Sequence, residues 1–141
     1  MAYVTVAEFR APLPERDLVR LTDLAGDSDT VDEAVIAQAL QDASDEIDSY
    51  IGKVVSTPLA DPPSHLKVIC RDLALHRLYI NVGHDMTAQA TLRNAAIRYL
   101  ERVAAGEVAI GGGPAPIATS PGIAMTEGAE RQITRDSLRG F

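Results

Sequence analysis

The chain has no tryptophan, a single cysteine and, from Leu21 through Gly52, no lysine or arginine at all. The lone Cys70 has no mate for an intramolecular disulfide, which excludes a disulfide-stapled scaffold, and its apolar helical surroundings mark it as a small buried hydrophobe. No run approaches the roughly 18 to 20 apolar residues that a membrane span requires. The opening Met1 to Glu8 lacks the charged-then-apolar order of a signal peptide, so we expect a soluble protein, intracellular when made, with no membrane partner. Aromatic residues are few, and Phe9, Phe141, Tyr3, Tyr50, Tyr79 and Tyr99 are too scattered for a platform on which nucleic-acid bases stack.

Basic charge is also in deficit, with 13 Lys and Arg against 20 Asp and Glu. An acidic body argues against a surface for phosphate backbones, whose binding rests on clustered Lys and Arg. The imbalance is local. Asp23, Asp27, Asp29, Asp32, Glu33, Asp42, Asp45, Glu46 and Asp48 fill the stretch without a cation, whereas the last eleven residues hold Arg131, Arg135 and Arg139 against Asp136 alone. The acidic run reads either as a solvated helix face or as one half of a self-complementary pair.

With 141 residues, 46% of them hydrophobic, the chain suffices for one small core and not two. Five helices are expected in residues 1–110. Val6 to Leu13 follows Thr5 and is stopped by Pro12 and Pro14, and Pro14 opens the next helix, whose Leu18, Leu21 and Leu24 form one stripe. Thr30 and Glu33 form a capping box for the third helix, with Ile36, Leu40, Ala43, Ile47 and Tyr50 as its seam and Gly52 as its stop. Residues 53–62 hold two prolines and read as a loop. Pro62 and Pro63 start a fourth helix with Leu66, Ile69, Leu73 and Ile80 inward, flanked by Cys70, Ala74 and Leu78, and Asn81 and Gly83 end it. A fifth, Thr87 to Ala105, turns Leu92, Ala95, Ala96, Tyr99, Leu100 and Val103 inward, Gly106 closes it, and Glu107 to Ile110 reads as a short strand. The fold class is therefore all-α, a small bundle of four to five helices with a Gly/Pro-rich extended C-terminal tail.

The residues that carry chemistry do not assemble into a catalytic or metal pattern. His65, His76 and His84 show no ligand spacing with each other or with Cys70, and Asp27-Ser-Asp29 is not continued as a calcium loop. Gly111-Gly-Gly-Pro lacks the Lys-Ser/Thr of a phosphate loop, and Asp45 with Asp48 has no neighbouring imidazole or apolar cleft to raise an acid's pKa. No enzyme activity and no cofactor are expected. Elimination leaves binding or assembly.

Residues 111–130, rich in Gly, Pro and Ala, have the composition of a spacer, beyond which residues 131–141 combine basic and apolar groups. Arg131, Ile133, Arg135, Leu138, Arg139 and Phe141 suit an apolar groove rimmed by carboxylates, and we read this segment as a docking peptide. Asp42, Asp45, Glu46 and Asp48 are the candidate rim. The alternative for the same residues is an unstructured chain end.

The order of features resembles the Mu-like prophage head-tail connector family. The resemblance is carried by the Tyr3 opening, by Asp32-Glu-Ala-Val-Ile through Asp48-Ser-Tyr-Ile51, by the Pro62-Pro63 helix start, by Tyr99-Leu-Glu-Arg-Val-Ala-Ala-Gly-Glu107 and by Thr134-Arg-Asp-Ser-Leu-Arg-Gly-Phe141. It implies a mostly helical virion assembly protein, made in the host cytoplasm and placed at the virion neck. There it would form a homo-oligomeric ring, twelve-fold, between the portal protein and the tail or tail-completion proteins, with DNA passing and not specifically bound. Such a family brings no catalytic residues. The residues by themselves leave a second class open, a soluble helical adaptor or regulator that binds one partner through its C-terminal tail.

Overall fold

The computed structural model describes residues 1–83 and 87–112. Its first helix, α1 (Val6–Arg10), is closed by a reciprocal box in which the Glu8 N–H donates to Thr5 Oγ1 at 3.2 Å and the Thr5 N–H to Glu8 Oε2 at 2.9 Å. Pro14 precedes α2 (Glu15–Thr22), which buries Leu18, Leu21 and Thr22. The Thr22 hydroxyl donates to the Leu18 carbonyl at 2.9 Å and accepts from the Asp32 N–H at 3.1 Å, so the end of α2 fixes the start of α3 (Glu33–Ile51).

That link changes the expected cap. Asp32, held by Thr22, caps α3 by accepting from the N–H groups of Ala34 and Val35, while Thr30 turns to Ser28 and Glu33 pairs with Arg10. The seam also shifts. Ile36, Leu40, Ala43 and Ile47 are buried as expected, but the last position belongs to Ile51, and Tyr50 lies half-buried at the core edge. An α-helix advances 3.6 residues per turn, so a strict four-and-three pattern drifts off the buried face within a few turns.

Residues 53–63 run without regular helix to α4 (Ser64–Val82), which is ended by Gly83 in the left-handed region at φ 70°. Next comes α5 (Thr87–Ala104), antiparallel to α4 because His65, at the start of α4, meets Tyr99 edge-on with ring centres 4.5 Å apart. The core lies between α3, α4 and α5, with α1 and α2 covering its flank. Tyr3 and Val4 close the near end, the Tyr3 N–H donating to Ser44 Oγ at 2.9 Å. Among the described residues the fold is all-α.

Four expected inward residues face outward. Leu24 falls beyond the end of α2, where helical spacing no longer applies, and is 60% exposed. Ile80 continues the Leu66–Leu73 line of α4 but meets a groove rather than a packed layer, and Leu92 and Ala95 lie in the first half of α5, which buries none of its residues. Glu107 to Ile110 forms no strand. With no second strand beside it, the segment packs Val108 and Ile110 against the core and ends in a 3-10 turn, Ile110–Gly112. There Gly111 lies against Pro63, whose Cγ a side chain at this position would meet at 3.4 Å.

Candidate functional site

The acid-only stretch divides into residues that hold the bundle together and residues that face outward. Glu46 belongs to the first group. It sits on the face of α3 turned toward both neighbouring helices, where Oε2 accepts from Arg77 Nη2 at 2.9 Å and Oε1 from Arg93 Nη2 at 2.7 Å. Its side chain is 15% exposed, so both arginines of α4 and α5 neutralise a largely sheltered carboxylate. Among the described residues the buried Arg77 Nε meets no hydrogen-bond partner. Beside this triad, burial first and Arg93 second hold the His76 imidazole below its usual pKa.

Asp48 is also used internally, since its Oδ1 accepts from the Tyr3 hydroxyl. The same oxygen of Tyr3 accepts from the Leu59 N–H at 3.2 Å, so one phenol ties the chain start, α3 and the loop after α3 together. Burial, with Asp48 next in weight, pushes the phenol up to about 12.

Asp45 is turned the other way, and Asp42, partly exposed, stands beside the triad. Asp45 is exposed and accepts from Gln41 Nε2 at 2.8 Å, one turn back. Asp42 accepts from Gln38 Nε2 at 2.7 Å and stands 3.9 Å from Arg77 Nη1. Of the four acids expected to form a rim, Asp45 is exposed and Asp42 partly so, whereas Glu46 and Asp48 bond within the bundle. Arg131, Ile133, Arg135, Leu138, Arg139 and Phe141 lie outside the described residues, as does His84.

Asp42 borders a surface feature that the sequence did not announce. Leu24, Val35, Ala39 and Ile80 line an open groove of about 270 Å³ between the first half of α3 and the last turns of α4, with Gln38, Asp42, Arg77 and Asn81 at its edges. Leu24 and Ile80 are 60% and 50% exposed, so two large aliphatic side chains are bared on one concave surface. Leu24 also lines a neighbouring concavity of about 190 Å³ that contains Asp23, Asp27 and Asp32. Apolar floor and carboxylate flank are therefore adjacent. The one signal for this in the sequence was Leu24 itself, a bulky apolar residue directly before the turn Ala25-Gly-Asp-Ser-Asp29.

Among the described residues no three His, Cys, Asp or Glu side chains converge. Nor is any described helix long and apolar enough to cross a membrane. What the face offers is a shape for apolar side chains with negative charge beside it.

Comparison with known proteins gives this face a context. The chain is similar to the Mu-like prophage FluMu protein gp36 of Haemophilus influenzae (strain ATCC 51907 / DSM 11121 / KW20 / Rd), at 34% identity over 116 residues, covering 82% of this chain and 81% of the relative. The family model described as Bacteriophage Mu, Gp36 matches residues 3–126, from the Tyr3 anchor past the end of the helical body. The chain belongs to the bacteriophage Mu Gp36 family.

Proposed function

We propose that this protein is a non-enzymatic virion assembly subunit that joins head to tail, forming a ring at the virion neck between the portal and the tail or tail-completion proteins. The observation that carries this reading is the bared apolar groove of Leu24, Val35, Ala39 and Ile80 beside a carboxylate flank, on a member of a Mu-like phage family. A surface of that kind gains stability when another protein covers it. A ring places a head-to-tail contact at every subunit boundary, so each copy presents one surface and accepts another. The basic, apolar segment 131–141 fits the presented half.

The acidic face serves a second purpose in this role. Carboxylates such as Asp45, turned to a channel, repel the phosphate backbone and let DNA pass without adhering. No cofactor enters the scheme.

Electron microscopy of the purified protein, alone and mixed with the cognate portal, tests the reading. Closed rings, or a ring added to the portal, are the expected result. A one-to-one complex with a single partner would instead establish the adaptor or regulator role that the tail also fits.

A further inference from the structure

The groove and the last described residues of the chain lie at opposite ends of α4. Arg77, Ile80 and Asn81, in its last turns, wall the groove. Gly111, near the end of the described body, rests on Pro63 at its first turn. Seventeen residues of helix separate Pro63 from Ile80, about 25 Å at 1.5 Å per residue. Residues 113–130 would span up to roughly 60 Å if fully extended, enough to carry residues 131–141 clear of their own body and onto a neighbour.

From this arrangement we infer that the groove formed by Leu24, Val35, Ala39 and Ile80 receives residues 131–141 of an adjacent copy of the chain. The inference rests on the ring reading above and names the site at which its subunits join. Two properties of the segment match the groove. Ile133, Leu138 and Phe141 provide apolar side chains for a floor whose Leu24 and Ile80 are bared. Arg131, Arg135 and Arg139 would have Asp42 on one side, which Arg77 approaches only to 3.9 Å, and the Asp23, Asp27 and Asp32 concavity on the other, and Leu24 joins the two. A segment given from one end of α4 and accepted at the other repeats from copy to copy, which is the geometry of a heterologous assembly.

Disulfide trapping in the full chain tests this. Two singly substituted proteins, Ile80→Cys and Leu138→Cys, are mixed and mildly oxidised, and covalent dimers are read on a non-reducing gel. Ile80 is half exposed and tolerates the change, whereas the native Cys70 is buried. The control replaces Ile80→Cys with Val68→Cys, an exposed position on the other half of α4. Docking raises the local thiol concentration, so the Ile80 mixture should link at least about tenfold faster than the Val68 mixture. Adding Arg135→Glu to the Leu138→Cys chain should slow it. Equal rates for Ile80 and Val68, or a link that forms only within a chain carrying both substitutions, would overturn the inference. Electron microscopy of the same samples separates the two levels. Rings without the Ile80–Leu138 link remove the groove assignment and leave the ring reading, whereas absence of rings with and without portal removes both.

Discussion

Glu46 of α3 and Arg93 of α5 are joined by a 2.7 Å hydrogen-bonded ion pair, and Arg77 of α4 holds the other oxygen of the same carboxylate at 2.9 Å. Three helices thus share one partly sheltered charge. Glu46→Gln leaves two arginines facing each other with weaker acceptors between them. We expect a loss of about 1 to 3 kcal/mol, between the values for exposed and fully buried pairs. Asp45→Asn, one residue earlier and exposed, should stay within about 0.5 kcal/mol. Urea unfolding of both variants checks this, and equal losses would contradict the division of α3 into an inner and an outer acid face.

Leu73 and Ile80 stand seven residues apart on α4, nearly in line, yet one is 1% and the other 50% exposed. Leu73→Ala should cost about 2 to 5 kcal/mol, the range for emptying a packed site. Ile80→Ala should cost under about 1 kcal/mol, because the groove already exposes the side chain. Thermal melts monitored by circular dichroism will rank the two, and a larger loss at Ile80 would mean that the groove is closed in the isolated protein.

The helix content was legible because Pro14, Pro63, Gly52 and Gly83 bracket helices whose apolar residues recur at three and four. Ile36, Leu40, Ile47, Leu66 and Leu73 were identifiable as core from spacing alone, and each is at most 1% exposed. What spacing cannot convey is which segment of a helix has a neighbour. Ile80 and Leu92 satisfy the pattern where nothing among the described residues packs over them. The groove was hidden for that reason, since it arises from a missing layer. Spacing also does not divide the acidic run into internal and outward residues. Which acids bond within the bundle is decided by Arg77, Arg93 and Tyr3, partners 31 or more positions away from Glu46 and Asp48 in sequence.

Tyr3 ties three segments together and its phenol is pushed up to about 12, by burial first and by Asp48 second. The folded state therefore favours the neutral phenol. Its contribution to stability is fully present below pH 10.0, the ordinary value, and is lost as pH rises from there through about 12. Ultraviolet titration of tyrosinate should show a late step near pH 12, and Tyr3→Phe should abolish it.

Glu8 behaves in the opposite sense. The Thr5 backbone N–H and then the Lys67 ammonium, 3.1 Å away, hold its carboxyl down at about 2. Its contribution is present above the ordinary value of 4.5 and fades as pH falls from there through about 2. Carbon-13 NMR titration should find this midpoint at about 2, well below the ordinary 4.5, and Glu8→Gln should flatten the acid limb of the stability curve between those two pH values.

The central claim is that copies of this chain join through residues 131–141 into a closed neck ring. Native mass spectrometry of the full chain with its cognate portal, at physiological salt, tests it most directly, with a variant lacking residues 131–141 in parallel. The account predicts a single closed oligomer for the full chain and, for the shortened variant, a body that is still helical by circular dichroism but remains as subunits. An equally abundant ring from the shortened variant, or a one-to-one complex from the full chain, would contradict it.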